Sequence, residues 1–318
     1  MTTPAQNAAA QNGAARNGPA LHIDNLSLRL TGTGRDVLDG VSLTVGANET
    51  VALVGESGCG KTLTARSALN LLPKGARASG TVTVAGHDVL SLDAKRLRQL
   101  RRGTAAMIFQ DPRAGINPLR RVGDFLTEVV HNTDRASSML KAVGLDGDIL
   151  NRYPGTLSGG MLQRVMIAAA LMGNPELLLA DEPTTALDVT TQAEVVGLLA
   201  RLQREYGTGL LFVTHDLALA GAIADRVYVM YAGRIAETGT AAALFAAPQH
   251  PYTTALLKAT PRADSKVLTP IEGQPPGLLE PITGCAFAPR CAKATAICAS
   301  QAPELVGNVA CHHPEGAA

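Results

Sequence analysis

The sequence is short of aromatic residues and of net charge, and both shortages restrict its function. Its 318 residues contain no Trp, and the aromatic content is only 3%. Lys and Arg number 28 against 27 Asp and Glu, which leaves a formal net charge of +1. Because a nucleic-acid-binding surface needs a positive field and aromatic platforms for bases, the composition argues against that class of protein.

Long apolar runs are missing as well. No stretch approaches the roughly 18 uninterrupted apolar residues of a membrane span, so we expect any membrane association to go through a partner. The first twenty residues are rich in Ala, Asn, Gln and Gly and lack the apolar centre of a secretory signal. They predict a disordered tail over residues 1–20 and a cytoplasmic protein.

One basic segment stands out against this neutral background. Five of the eight residues from Lys95 to Arg102 are Lys or Arg. They could bind an anionic partner, but Leu97 and Leu100 stand at helical spacing and no second basic stripe follows. The pattern therefore favours the solvated face of a helix.

The most informative segment is GESGCGKT, at residues 55–62. Glycines let a backbone approach an anion without a Cβ in the way, so successive N–H groups can point at phosphate oxygens. In this pattern Lys61 bridges the terminal phosphates and the Thr62 hydroxyl ligates magnesium. The apolar TVALV before the loop predicts a buried strand, and Leu63 to Leu72 predicts a helix, so the loop has the setting of a phosphate-binding loop.

Polar residues follow three further apolar segments that we interpret as strands. Gln110 follows Met107 to Phe109, the pair Asp181 and Glu182 follows Leu177 to Ala180, and His215 comes after Leu210 to Val213. Ligands of α/β proteins bind at the carboxyl ends of strands. With a phosphate loop present, the two carboxylates fit a magnesium-binding Asp and a Glu that polarises the attacking water, and the His fits a γ-phosphate contact.

A second candidate anion site is the LSGGM segment. Ser158 is a suitable helix cap, and Gly159 and Gly160 leave bare backbone N–H groups at the start of an apolar helix. Ordinary capping is the alternative explanation. A longer helical region from Val122 to Leu150 precedes it.

In this order, GESGCGKT, Gln110, LSGGM, LLLADEP, Thr185 to Asp188 (TALD) and His215 resemble the nucleotide-binding subunits of ATP-binding-cassette (ABC) transporters. The resemblance covers about residues 21–239. It implies an α/β fold, that of a P-loop NTPase with a RecA-like core, an N-terminal antiparallel β subdomain and an inserted helical subdomain at about 111–170. The predicted domains are the cassette, 21–244, and a small Cys-rich C-terminal extension, 245–318.

The resemblance also implies roles for particular residues. ATP is expected at Gly55, Glu56, Ser57, Gly58, Cys59, Gly60, Lys61 and Thr62. Mg²⁺ is expected at Thr62, Gln110 and Asp181. Glu182 would be the catalytic base and His215 the γ-phosphate sensor, whereas Ser158, Gly159 and Gly160 would contact the ATP of the opposite subunit. Because the chain carries one copy of each motif, the composite site requires a second ATPase subunit.

The sequence departs from the usual ABC pattern at two points, and further motifs indicate which subfamily it resembles. Met161 replaces the usual Gln, which resembles the D-type subunits of oligopeptide and dipeptide importers that work beside an F-type partner. No aromatic residue is available to stack on adenine, which leaves residues 35–37 as candidates for the base contact. FQDP at residues 109–112, HPYTTALL at residues 250–257 and the tail from Glu272 to His312 are similar to the same group.

Four of the five cysteines lie in that tail, with spacings of five, six and twelve residues, and the fifth is in the phosphate loop. Because a cytoplasmic chain rarely keeps disulfides, this grouping suggests a metal site. The resemblance implies a [4Fe–4S] cluster. Zinc, with His312 or His313 replacing a ligand, and unliganded cysteines are the alternatives. The predicted ligands are Cys285, Cys291, Cys298 and Cys311.

The sequence thus predicts an ATPase subunit, peripheral at the cytoplasmic face of the membrane, that drives uptake of di- and oligopeptides. Its expected partners are an F-type ATPase subunit, two integral permeases and an extracytoplasmic peptide-binding protein, with no nucleic acid. One alternative is the same machinery with nickel or another small solute as cargo. The other is a soluble cassette ATPase without permeases, as in DNA repair or iron–sulfur assembly.

Overall fold

A computed structural model describes residues 18–185, 187–260 and 270–316. Most of the predicted N-terminal tail, residues 1–17, lies outside the described residues. The chain divides into two compact units. Of the described residues, those within 18–21, 45–50 and 83–213 form the first unit, and those within 22–44, 51–82 and 214–316 form the second.

The first unit has a parallel sheet at its centre. Strand β7 (Leu177–Asp181) lies between β6 (Ala105–Ile108) and β8 (Gly209–Thr214), and it runs parallel to both. All five residues of β7 are buried, as are the residues of β8, because both faces of a parallel sheet are usually covered. The sheet therefore presents the carboxyl ends of its strands at a single edge.

The helices of the first unit are short apart from two. They are α2 (Ala94–Gly103), α3 (Val122–Leu126), α4 (Thr133–Ala142), α5 (Gly159–Leu171) and α6 (Val189–Tyr206). Short 3₁₀ turns occupy Gly147–Asn151 and Pro154–Thr156. In α2 the buried side chain is Leu100 and the five basic residues are exposed, which agrees with the solvated helix face predicted for this segment.

The second unit contains most of the remaining strands. Strand β9 (Arg226–Tyr231) pairs antiparallel with β10 (Arg234–Thr240) and parallel with β3 (Thr50–Val54). In the other sheet, β1 (Leu21–Arg29) lies between β2 (Leu38–Val45) and β4 (Arg77–Val84), whose end forms a hairpin with β5 (His87–Asp88). The helices are α1 (Lys61–Ser67), α7 (Leu217–Ile223), α8 (Ala241–Ala246), α9 (Pro251–Ala259) and α10 (Ala296–Ser300), with a 3₁₀ turn at Ala288–Arg290.

The C-terminal extension shares the core of this second unit. Tyr252 and Phe287 are buried in one cluster with residues of β3, β9 and α7. Near the end of the chain, Thr238 N donates to Asn308 O at 2.8 Å and Ala310 N donates to Ala236 O at 2.8 Å. These bonds cover the edge of β10, which would otherwise expose unpaired backbone groups.

Two helix predictions were wrong in extent. The helix after the phosphate loop ends at Ser67 rather than Leu72, because the chain turns there and Asn70 adopts a left-handed backbone with φ of 49°. The region from Val122 to Leu150 is not continuous either. It is interrupted before Asn132, whose side chain accepts from Arg135 N at 2.9 Å and so begins a new helix.

Within the described ranges, no helix combines the length and the apolar character needed to cross a bilayer.

Candidate functional site

The phosphate loop joins β3 to α1, and its glycines are structurally required. Gly55 has φ of 151°, and a Cβ there would collide with the carbonyl oxygen of Met230. Gly60 has φ of 110°, and a Cβ there would lie 2.6 Å from Leu38 Cδ2. Both positions combine a left-handed backbone with close packing, so a side chain would distort the loop.

Lys61 closes this loop from within. Its Nζ donates to Gly55 O at 2.8 Å and to Glu56 O at 3.0 Å, and the residue is only 4% exposed. The ammonium is therefore held against the loop carbonyls at the start of α1. Burial raises the pKa of the neighbouring Cys59 thiol, although the Lys61 charge opposes the shift.

Glu56 contacts the C-terminal extension through both its side chain and its backbone N–H. Its backbone N–H donates to Tyr252 Oη at 2.9 Å, and its carboxylate receives the guanidinium of Arg290. Sequence reasoning assigned Glu56 to the loop but missed both partners. In the sequence Tyr252 stands out only as part of the HPYTTALL motif, and no local pattern marks Arg290.

In the first unit, the predicted polar residues meet at the carboxyl edge of the sheet. Ile108 at the end of β6 is opposite Ala180 in β7, so Gln110 and Glu182 follow neighbouring strands. Gln110 Nε2 donates to Glu182 Oε2 at 3.2 Å, and Thr185 Oγ1 donates to the same oxygen at 3.0 Å. The structure thus holds this carboxylate by two hydrogen bonds.

The backbone around that carboxylate is strained. Glu182 has φ of 46°, although it is not a glycine, and its N–H donates to Val213 O at 2.9 Å. Residues in this conformation persist only where their surroundings enforce it, and they are common at active sites. Asp181, one residue earlier, is 1% exposed. Of these adjacent carboxylates, Asp181 is buried and Glu182 is half-buried.

The LSGGM segment begins α5 as predicted. Ser158 is the N-cap, and its hydroxyl accepts from Met161 N at 3.3 Å. A Cβ on Gly160 would lie 2.8 Å from Thr191 Cγ2, so this glycine also permits close approach to α6. Both the capping role and a packing role are therefore present at the exposed end of this helix.

His215 directly follows β8 and belongs to the second unit. The imidazole is exposed. The next residue, Asp216, caps α7 by accepting from Ala218 N at 2.8 Å and Leu219 N at 3.1 Å. The cap fixes the point at which the chain leaves the strand beside His215.

The predicted residues fall into two groups. The second unit carries the phosphate loop and His215, and the first carries the strand-edge residues and the LSGGM segment. The structure brings Gln110 and Glu182 together, and it brings Lys61 onto the phosphate loop. The assigned roles toward ATP and Mg²⁺ remain predictions.

The four cysteines of the extension line one small cavity of about 10 Å³, together with His250, His312 and His313. Burial is the main cause that raises the pKa of the Cys285 and Cys311 thiols, and the thiols of Cys291 and Cys298 act in the same direction. None of the five cysteines forms a disulfide. Yet across the described segments no three His, Cys, Asp or Glu side chains are arranged to hold a metal ion.

The cysteines are therefore gathered but not arranged as a ligand set. Four thiols have the donor chemistry of an iron–sulfur site. In the described segments they do not form the ligand set of the cluster that the resemblance implied.

A glycine loop of this conformation can cradle phosphates. The Glu182 carboxylate, which is held by hydrogen bonds, can accept a proton from water. These properties place the chain in the class of P-loop nucleoside triphosphatases. Comparison with known proteins defines the family. The ABC transporter family matches residues 38–185, and the oligopeptide/dipeptide transporter C-terminal region matches residues 236–298.

Individual relatives agree with these matches. The dipeptide transport ATP-binding protein DppD of Bacillus subtilis is 43% identical over 87% of this chain and 88% of its own length. The oligopeptide transport ATP-binding protein OppD of Escherichia coli is 42% identical over 89% of this chain and 88% of its own. A dimeric, post-hydrolysis structure of the ABC cassette MJ0796 bound to ADP and Pi superposes with a TM-score of 0.61 at 28% identity, covering 70% of this chain and 98% of that one.

The chain belongs to the ABC transporter family, as an ATPase subunit of the oligopeptide and dipeptide type. Its fold is the ABC cassette fold, α/β with a mixed sheet and an antiparallel β subdomain. Membership implies membrane permease partners and a partner ATPase.

Proposed function

We propose that this chain hydrolyses ATP to drive the import of di- and oligopeptides across the cytoplasmic membrane, at whose cytoplasmic face it is a peripheral subunit. The observation that carries the proposal is the phosphate loop, in which Lys61 is held against the Gly55 and Glu56 carbonyls within a chain whose C-terminal region is of the peptide-transporter type. The names of the relatives, which specify dipeptides and oligopeptides, support this cargo.

Each site residue has a proposed part in hydrolysis. Lys61 contacts the terminal phosphates, and Glu182 accepts the proton of the attacking water as its oxygen bonds to the γ-phosphorus and the bond to ADP breaks. Gln110 orients the Glu182 carboxylate through the 3.2 Å hydrogen bond. His215 contacts the γ-phosphate. Backbone N–H groups of the loop hold the remaining phosphate oxygens.

Magnesium fits the residues proposed to hold it, because hydroxyl, amide and carboxylate oxygens are the ligands that it prefers. When bound, it would neutralise charge on the phosphate oxygens. The proposed donors are Thr62, Gln110 and Asp181.

The exposed start of α5 suits a contact with a second subunit. We assign Ser158, Gly159 and Gly160 to the ATP held by that subunit, so that two ATP molecules lie between two ATPase chains. The partner we propose is an F-type subunit of the same importer. Two integral permeases and an extracytoplasmic peptide-binding protein complete the assembly.

The cargo is testable by uptake. Cells lacking their own peptide importers, and supplied with this chain and its genomic neighbours, should accumulate a labelled dipeptide or a short peptide. The expected gain disappears when Lys61 is replaced by Ala in this subunit alone. Uptake of labelled nickel without peptide would assign the cargo to the alternative, and a chain that co-purifies with no integral protein from detergent extracts would favour the soluble ATPase.

We also propose that the four cysteines of the extension ligate a metal centre, with [4Fe–4S] as its form. The convergence of four buried or half-buried thiols on one cavity supports it. Because the described donors are not arranged as a ligand set, binding would require the loops that carry them to close further. No step of ATP hydrolysis depends on this centre.

Metal content tests this proposal. We expect the full chain, purified without oxygen, to be brown and to contain about four iron atoms per chain. Cys298→Ser should lose most of the iron, whereas the control Cys59→Ser, in the phosphate loop, should retain it. A colourless preparation with zinc and no iron, or iron that survives Cys298→Ser, contradicts the cluster.

A further inference from the structure

The C-terminal extension contacts the phosphate loop at Glu56, the single acidic residue of GESGCGKT. Arg290 Nη1 donates to Glu56 Oε2 at 2.7 Å and Nη2 donates to Oε1 at 2.9 Å. Both carboxylate oxygens are thus taken by one guanidinium, which is the strong two-point arrangement of an Arg–carboxylate pair. The Arg290 side chain is only 4% exposed and that of Glu56 is 24% exposed.

Arg290 is itself held rigidly. Its Nε donates to Glu272 O at 2.9 Å, and its Nη1 also donates to Tyr231 Oη at 3.2 Å. The guanidinium carbon lies 5.9 Å from the ring centroids of both Tyr231 and Phe287. An arginine side chain is always protonated in proteins, so Arg290 brings a positive charge to Glu56.

An aromatic cluster supports this contact. Tyr231 packs against Tyr252 with ring centroids 4.6 Å apart, and Phe287 lies 5.3 Å from each of them. The chain has only five Tyr and five Phe, and three of these ten residues lie in this cluster. Tyr252 adds a second bond to the loop, because its Oη accepts the Glu56 N–H at 2.9 Å.

The charge of the Glu56 carboxylate affects the binding of a triphosphate. A carboxylate in a phosphate loop repels the triphosphate that the loop is to hold, and repulsion is strong where water is excluded. Arg290 neutralises the charge of Glu56 and also fixes the position of the Glu56 side chain. At the same residue, the Glu56 carbonyl receives Lys61 Nζ, so a displacement of Glu56 would shift the acceptor of the lysine.

We propose that Arg290 is a positioning residue for the phosphate loop, through which the C-terminal extension neutralises Glu56 and sets the affinity of the loop for ATP. The inference rests on the proposed function, in that ATP occupies residues 55–62. Arg290 acts through Glu56 and does not touch the nucleotide. Cys291 is its neighbour in the chain, so the cysteine-lined part of the extension is joined directly to the loop contact.

Binding of a fluorescent ATP analogue to the full purified chain with Mg²⁺ tests the inference. Arg290→Met, which is similar in length but uncharged, should raise the Kd about tenfold, because it leaves a half-buried carboxylate unpaired beside the phosphates. Glu56→Gln alone should change the Kd by about twofold. The double variant E56Q/R290M should return to within about threefold of the parent, since the repelling charge is gone.

The matched control is Arg234→Met. Arg234 pairs with Asp39 at 2.6 Å in the same unit, but both side chains are more than 40% exposed, and among the described residues no hydrogen bond joins either side chain to the loop. The Kd of the Arg234→Met protein for the ATP analogue should equal that of the parent. Restoration by E56Q separates charge compensation from simple loss of structure, because removing a second contact would not restore a loop that had merely become loose.

The inference is overturned if R290M binds ATP like the parent, or if E56Q fails to restore the affinity that R290M has lost. Should R290M not fold, Arg290→Lys decides. It keeps the charge but loses the two-point contact, and we expect a Kd about threefold higher, with a parental value counting against the inference. If the parent itself binds no nucleotide, the proposed function fails instead, and the two failures are thereby distinguished.

Discussion

Glu182→Gln should abolish ATP turnover while leaving nucleotide binding intact. The substitution keeps the shape of the side chain but removes its capacity to accept a proton from water. General-base catalysis contributes about 10²–10⁴-fold, so we expect the steady-state rate of phosphate release to fall by at least about a hundredfold. The amide can still hydrogen-bond Gln110 and Thr185, which keeps the strand edge in place.

Two measurements check this prediction on the assembled ATPase pair. Phosphate release gives turnover, and retention of labelled ATP on a sizing column gives binding, for which we expect the variant to trap the closed dimer. Glu128→Gln is the matched control, because Glu128 is exposed and pairs with Arg120 at the surface. Parental turnover in Glu182→Gln would show that another group accepts the proton.

Lys61→Ala should weaken nucleotide binding itself, whereas Glu182→Gln should lose turnover alone. The ammonium is held at 2.8 Å from Gly55 O and 3.0 Å from Glu56 O, where it can turn to anionic oxygens without leaving the loop. Loss of a buried positive charge facing a triphosphate should raise the Kd for ATP by at least about a hundredfold. Equilibrium binding of a fluorescent ATP analogue measures the change.

Lys141→Ala provides the comparison for this variant. Lys141 is exposed in the last turn of α4, which belongs to the first unit, whereas the phosphate loop belongs to the second. It should bind ATP with parental affinity and unfold at a similar denaturant concentration. A Lys61→Ala protein that is folded and still binds ATP as tightly as the parent would remove the basis for the proposed site.

Much of the site could be predicted because its residues lie at the ends of predictable elements. TVALV is buried throughout, so the strand that precedes the loop was visible as an apolar run. Gln110 and Glu182 each follow an apolar segment that reads as a strand, so the sequence predicted that both lie at the edge of the sheet where ligands bind. The capping role of Ser158 was visible for a similar reason, since a hydroxyl before an apolar helix has few other partners.

Element lengths and metal geometry could not be read in the same way. The apolar residues after Ser67 suit a longer helix, but Asn70 in a left-handed conformation ends it. The cysteine spacings suggested a ligand set, whereas the described thiols line a common cavity without forming one. Spacing along a chain limits which side chains can meet, but loop conformation decides whether their sulfur atoms converge.

The sequence by itself determined the family, the phosphate loop and the order of the motifs, because each depends on residue types within a few positions of one another. Only the tertiary structure revealed what holds the loop. Glu56 is 196 residues from Tyr252 and 234 from Arg290, and its carboxylate is paired by a residue that no local pattern marks. Hydrophobic periodicity records which face of an element is buried, whereas the pairing of one distant charge with another is decided when the elements pack.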